Sequence, residues 1–234
     1  MNISDNKKYI IATIKPWNID NARKFLLAKY GRNTLLLTNN KELTYKRIRK
    51  INPRYIFFPH WSWIIPDEIY KNYECVVFHM TDLPFGRGGS PLQNLIERGI
   101  YKTKITAIKV VKKLDAGPIY LKRSLALDGS AAQIFKKASQ IVFKDMIPYI
   151  IKNEPIPAPQ RGKVVKFKRR TPEMGNVRNL NSVRKIYDYI RMLDAESYPP
   201  AFLETSRLRI EFSDAKLRKY YVLANAKVRM KNEQ

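Results

Sequence analysis

The chain has 234 residues, 45 Lys plus Arg against 20 Asp plus Glu for a net charge of +25, and a hydrophobic fraction of 44%. That is enough for one good-sized domain plus a small appendage, while the lack of any run of about 18 apolar residues excludes a spanning helix. The single cysteine, Cys75, excludes an internal disulfide and fits a reducing cytoplasm.

In chain order, the polar N-terminus from Met1 to Lys8 has no apolar signal region. Lys8 to Ile14 is an isoleucine-rich run expected to form a buried strand. Asn18 to Tyr30 has helical spacing, with Asn18 as its expected N-cap. Strands are predicted at Asn33 to Thr38, Arg54 to Pro59 and Glu74 to Met80, with helices at Leu43 to Ile51 and Pro66 to Tyr70. Cys75 reads as a small core residue of the last of these strands. Strands alternating with helices imply right-handed crossovers and a mainly parallel α/β sheet. In such sheets ligands bind beyond the carboxyl ends of the strands, and both histidines, His60 and His79, fall there.

After Pro91 a helix runs to about Arg98. Thr103 to Val111 and Ile119 to Leu127 are predicted as strands of an antiparallel or mixed edge. Ser130 to Lys152 reads as one long amphipathic helix capped by Ser130. Residues 153–160 carry three prolines, a linker signal, and Lys163 to Thr171 is strongly basic. Ser182 to Leu193 is helical, and Arg207 to Phe212 and Tyr220 to Lys227 look like strands of a small β-rich extension. The expected division is therefore a catalytic domain over 1–152 and a linker with a small C-terminal subdomain over 153–234.

The segment Phe78-His79-Met80-Thr81-Asp82-Leu83-Pro84-Phe85-Gly86-Arg87-Gly88-Gly89-Ser90-Pro91 carries the strongest chemical signal. Glycines let main-chain N–H groups approach an anion closely, and Arg87 adds a forked, permanent charge. The bland reading of His79 is a satisfied structural histidine. Asp115, in Leu114-Asp115-Ala116-Gly117-Pro118, is equally a turn residue or the partner of an imidazole, whose tautomer it would fix. Such a pair can take a proton from an attacking amine. Two histidines and one cysteine offer no soft-metal cluster, so no metal is expected. The excess positive charge favours an anionic partner, although the basic residues are scattered along the chain.

Together these features resemble the folate-dependent formyltransferase family. The distance from His79 to Asp115, 115 − 79 = 36, matches that family's spacing, and so do Pro84, Arg87-Gly88 and Pro91. Ile64-Ile65-Pro66 resembles the segment before its short helix, and Tyr198-Pro199-Pro200-Ala201 its C-terminal segment. The resemblance implies a Rossmann-like, mainly parallel formyltransferase core with a small C-terminal β-rich extension. It implies N10-formyltetrahydrofolate as cosubstrate, His79 as general acid/base and Asp115 as its partner. Trp61, Trp63, Ile64, Ile65 and Leu114 would line the pterin, and Thr81, Asp82, Arg87, Gly88 and Gly89 would contact the acceptor, Asp82 orienting its amine. One departure matters: Val77 stands where the family carries an asparagine that helps hold the formyl oxygen. His60, at the end of the neighbouring strand, is the candidate replacement donor.

Among acceptors, the Phe-His-Met-Thr-Asp-Leu-Pro-Phe-Gly-Arg-Gly-Gly-Ser-Pro stretch is most similar to sugar N-formyltransferases of surface and flagellar glycan pathways, pseudaminic-acid-type sugars included. The expectation is N-formylation of a nucleotide-linked deoxyamino sugar in the cytoplasm, with no membrane partner and nucleic acid disfavoured. The C-terminal strands offer edges through which two copies could pair. The alternatives are methionyl-tRNA formylation, or a basic nucleic-acid-binding protein whose formyltransferase site is vestigial.

Overall fold

The structure is a computed structural model that describes residues 7–196 and 198–231. The polar residues 1–6 read above lie outside them. Its centre is a six-stranded sheet in the order β2-β1-β3-β4-β6-β7. β1 (Tyr9–Ala12) is parallel to β2 (Thr34–Leu37) and to β3 (Tyr55–Phe58), and β3 is parallel to β4 (Cys75–His79). Every residue of β1 and β3 is buried, as uninterrupted apolar runs require when a sheet is covered on both faces. β6 (Lys102–Lys109) runs antiparallel to β4, and β7 (Ile119–Ala126) forms the edge beyond it. The mainly parallel α/β architecture and its mixed edge are as the alternating pattern predicts.

The first crossover is helical over 16–30: α1 (Pro16–Asn21), a π-helical turn (Ala22–Leu27) and α2 (Ala28–Tyr30), ended by Gly31 at φ +53°. Asn18 does not cap it. Pro16 already occupies the first turn, and Asn18 is buried one turn in, where its Nδ2 donates to Thr13 Oγ1 (3.1 Å) and the Pro59 carbonyl (3.2 Å). α3 (Tyr45–Ile51) is capped by Thr44 Oγ1, which accepts from the Arg47 N–H at 3.3 Å, and stops at left-handed Asn52. α3 and the short α4 (Asp67–Tyr70) cover one face of the sheet. Ile48 and Ile69 pack there with Ile10, Ile56, Phe58 and Cys75. Burial pushes the Cys75 thiol well above its ordinary value, so it stays a neutral core group.

Contacts divide the chain into two compact units that interleave along the sequence: Met1–Arg87, Lys104–Leu125 and Lys136–Lys166 in one, Gly88–Thr103, Ala126–Phe135 and Phe167–Gln234 in the other. The predicted helix Ser130 to Lys152 is three pieces, α6 (Ala131–Ile141), a π-helical turn (Val142–Met146) and α7 (Ile147–Asn153). Ser130 and Gln133 cap it reciprocally, each side chain accepting the other's N–H. Two short strands escaped the sequence reading, β5 (Phe85–Gly88) and β8 (Val165–Phe167), which pair as a two-stranded sheet.

Within the second unit, α5 (Pro91–Glu97) and α8 (Val183–Leu193) accompany an antiparallel sheet in the order β11-β10-β9. Its strands are β9 (Ala201–Glu204), β10 (Leu208–Leu217) and β11 (Val222–Met230). The hairpin is longer than predicted, and Tyr220 and Tyr221 fall outside its strands, at its tip. A saturated polar network holds this unit. Asp188 Oδ1 accepts from Arg191 Nε at 2.7 Å, and Oδ2 accepts from the Tyr101 hydroxyl at 2.7 Å and Arg184 Nε at 3.2 Å. Arg191 Nη1 donates to the carbonyls of Leu127 (2.6 Å) and Gly129 (2.8 Å).

Candidate active site

His79 ends β4 and Asp115 lies in the turn between β6 and β7, so the antiparallel edge brings the two together. His79 Nδ1 is 3.7 Å from Asp115 Oδ1, and both side chains are nearly buried, at 10% and 12% exposure. That separation is too long for a hydrogen bond. The tautomer is instead set on the other side of the ring, where Nε2 is 2.7 Å from the Gly86 carbonyl. A carbonyl can only accept, so Nε2 carries the proton and Nδ1 is the basic nitrogen of the neutral ring. The expectation that Asp115 fixes the tautomer is corrected accordingly. The Asp115 carboxylate faces the nitrogen that gains the proton, and is placed to stabilise an imidazolium.

The Asp115 turn is held by a residue that sequence reasoning assigned to a linker. Gln160 Nε2 donates to the carbonyls of Asp115 and Gly117, each at 2.8 Å. Its Oε1 in turn accepts from Arg87 Nε (3.1 Å) and Nη2 (2.7 Å). Asp115 itself adopts φ +51°, a left-handed conformation that an Asp tolerates when its surroundings over-determine it. Gly117 is required by close approach: a Cβ there would meet the Lys109 carbonyl oxygen at 1.7 Å.

His60 follows β3, also at positive φ (+55°). Phe58 pairs with Val77, so His60 and His79 each stand two residues beyond a paired position on adjacent strands. Thr13 Oγ1 donates to the Pro59 carbonyl at 2.7 Å and anchors the start of that loop. The His60 ring meets Trp17 edge-on at 6.0 Å between centroids. Burial first, and the Lys15 charge second, pull its pKa down to about 4, so it is a neutral imidazole at physiological pH. Val77 is partly buried against the core cluster.

The remaining predicted contacts divide. Trp61 is half-buried, between Phe58 (5.7 Å) and Trp63 (5.0 Å), and its indole nitrogen has no hydrogen-bond partner among the described residues. Trp63, Ile64 and Leu114 are exposed, Ile64 to 92%, while Ile65 is buried in the core and offers no side chain to a ligand. Thr81 is fully buried; its hydroxyl reaches the Gly86 carbonyl (3.4 Å) and its carbonyl accepts from Thr106 Oγ1 (2.6 Å), so it braces the turn rather than meeting an acceptor. Asp82 is taken up by Lys122 Nζ at 2.5 Å and Lys104 Nζ at 3.0 Å. Burial would raise its pKa, but the two lysines outweigh it and hold the carboxyl below its usual range. It is a paired carboxylate, not one waiting to orient an amine. Gly88 and Gly89 belong to the second unit. A Cβ on Gly88 would meet the Phe167 carbonyl oxygen at 2.3 Å, and one on Gly89 the Arg169 Cβ at 2.7 Å. These glycines allow close passage of residues 167–169.

The methionyl-tRNA formyltransferase from Clostridium thermocellum, a solved structure, is 53% identical to this chain, covers 96% of it and 99% of its own length, and superposes with a TM-score of 0.93. The chain belongs to the formyltransferase family. Residues 172–229 match the family model for the C-terminal domain of methionyl-tRNA formyltransferase. The methionyl-tRNA formyltransferase of Thermodesulfovibrio yellowstonii is 26% identical over 172 residues, 70% of this chain and 56% of that protein. The chain thus spans about half the length of the curated relatives it matches. A sugar N-formyltransferase from Shewanella shares 13% identity at a TM-score of 0.65, a likeness of fold alone. The expected sugar acceptor and glycan pathway are overturned: the extensive similarity is to proteins described as acting on methionyl-tRNA.

Proposed function

We propose that this chain transfers a formyl group from N10-formyltetrahydrofolate to the α-amine of methionyl-tRNA. The observation that carries the reading is the 53% identity, over nearly the full length of both chains, to a protein described as a methionyl-tRNA formyltransferase. The charge of +25 is consistent with it, because each Lys or Arg set against a phosphate releases a counterion.

His79 and Asp115 supply the acid–base chemistry. An amine that forms a new bond to carbon must lose a proton. His79 Nδ1 is the basic ring nitrogen, and the Gly86 carbonyl keeps the proton of Nε2 in place. The imidazolium formed would lie between the Gly86 carbonyl and the Asp115 carboxylate, both suited to positive charge. The same proton can then return to the departing nitrogen of the donor, so that acid and base are one residue. His60, neutral and at the end of the adjacent strand, is the proposed N–H donor to the developing oxyanion in place of the asparagine replaced by Val77.

The donor's flat ring fits the segment after β3: the Trp61 N–H is buried and without a partner, and Trp63, Ile64 and Leu114 present apolar surface. Bound there, N10-formyltetrahydrofolate supplies an activated formyl group. The side chain of Ile65 contributes to the core alone. The test is an assay of the purified chain with this donor and methionyl-tRNA. Formylmethionyl-tRNA is the expected product, and a protein that binds the donor but leaves methionyl-tRNA unmodified would sink the reading.

A further inference from the structure

We infer that the tip of the β10–β11 hairpin, Arg218-Lys219-Tyr220-Tyr221, is a stacking site for unpaired RNA bases. The inference rests on the reading above, in which the acceptor is an RNA. Its observations lie elsewhere, in a part of the second unit that the acid–base chemistry does not use.

The hairpin closes tightly. Leu217 pairs with Val222, and the Arg218 N–H donates to the Tyr221 carbonyl at 2.8 Å, which leaves Lys219 and Tyr220 as a two-residue turn. A turn this short fixes what it displays. All four residues, 218–221, are exposed, Tyr220 to 75% and Tyr221 to 54%. Single exposed apolar side chains are ordinary on a protein surface. Two adjacent exposed tyrosines offer aromatic rings to solvent, and every nucleobase has a π-face to lay on such a ring.

The charge around the tip differs from that along the hairpin's shaft. On the shaft, Arg209 pairs with Glu204 and Glu211, Arg229 with Glu211, and Lys231 with Glu204. At the tip, neither Arg218 nor Lys219 has an acidic partner among the described residues, and Lys219 Nζ sits 4.9 Å from the Tyr220 ring centroid. Cations mostly neutralised along the strands, Lys227 on β11 excepted, and open cations beside the two tyrosines fit a partner that brings phosphates and bases together. Double-stranded RNA hides the faces of its bases and would engage only the charges.

The test uses the full chain and two labelled probes, an unstructured single-stranded RNA of about 20 nucleotides and a fully paired, blunt-ended duplex of two separate RNA strands of similar length. For the single strand, Y220A/Y221A should raise Kd about 10-fold or more with an unchanged salt slope, as expected for base stacking. Y220F/Y221F should keep the wild-type Kd, because the ring and not the hydroxyl stacks. R218Q/K219Q should weaken binding and flatten the salt slope by about 1.4, roughly 0.7 for each cation lost. The paired probe should not distinguish the tyrosine variant from wild type.

Wild-type affinity of Y220A/Y221A for the single strand would overturn the inference, as would equal losses on both probes. So would a wild-type chain that ignores single-stranded RNA, or a tyrosine variant that changes only the self-association seen by sedimentation. A thermal melt matching wild type excludes unfolding of the hairpin as the cause. The outcomes also separate this site from the proposed reaction. Formylation of methionyl-tRNA with wild-type KM in Y220A/Y221A keeps the reaction and removes the site. Absent formylation with stacking intact does the reverse.

Discussion

Two nearly buried acid–base arrangements in this molecule have opposite character. In the second unit, both Asp188 oxygens accept hydrogen bonds from Arg191, Arg184 and Tyr101, and Arg191 Nη1 spans two carbonyls. In the first, His79 Nδ1 faces the Asp115 carboxylate at 3.7 Å without a hydrogen bond. A network whose members are all satisfied rigidifies a fold and has nothing left with which to react. A base held in the right tautomer, with a carboxylate just out of bonding range, is arranged to gain a proton. The difference separates side chains that hold this protein together from those proposed to do its chemistry.

The sharpest way to break that distinction is to remove one member from each arrangement. His79→Ala should lower kcat for formyl transfer by about 10² to 10⁴-fold, the usual worth of a positioned acid or base. Thermal stability should fall far less than for a broken buried pair, by about 1 kcal/mol for the hydrogen bond lost at the Gly86 carbonyl. Activity within a few-fold of wild type would remove His79 from the mechanism. Asp188→Ala should do the opposite. It strands Arg191, which is 3% exposed, without its partner, and breaking a buried pair in this way costs about 3–5 kcal/mol. Urea unfolding should show that loss, and a shift below about 1 kcal/mol would mean the network is as slack as the catalytic pair.

His60 sharpens the comparison differently, since it avoids charge instead of pairing it. Its folded pKa of about 4 lies below the ordinary 6.5 because of burial and then Lys15. Between those values the unfolded chain takes up a proton that the folded chain refuses. The stability contributed by the neutral form is complete above about pH 6.5 and falls as the pH drops toward 4. The loss is roughly 2 kcal/mol by pH 5. Urea midpoints at pH 7.5 and pH 5 should therefore converge in His60→Gln relative to wild type. Parallel behaviour of the two proteins would place His60 in water.

What could be read from the sequence follows the range of the interactions. β1 and β3 are unbroken apolar runs, and buried parallel strands have no other way to be written. His79 and Asp115 were legible because a family spacing of 36 residues ties them together. The Gly86 carbonyl was hidden, because a main-chain acceptor has no letter of its own. Gln160 was hidden because it reaches Arg87 from 73 residues away. The close passage at Gly88 and Gly89 was not legible, since glycine signals only that space is short. The chain that fills that space, 167–169, comes from far downstream. Asp82 looked available until Lys104 and Lys122 were placed beside it. The acceptor was misjudged because the His79 motif reports the reaction, and only similarity along nearly the whole chain bears on the substrate.

Gln160 is where the two kinds of arrangement meet, and it gives the smallest and most discriminating effect. It is tied like the Asp188 network, with both ends of its amide engaged. Yet what it holds is the Asp115 turn, one side of the looser pair. Gln160→Ala removes the hydrogen bonds to the Asp115 and Gly117 carbonyls, a change of about 1 kcal/mol for a part-exposed neutral group. If Gln160 positions Asp115, the loss should fall on kcat, about 5-fold, with KM for the donor unchanged. Gln160→Glu would keep an acceptor for Arg87 but present oxygen to two carbonyls, and should not restore the rate. An equal drop in stability with kcat intact would make Gln160 a brace like Arg191. The boundary between structure and chemistry would then lie at the Asp115 carboxylate itself.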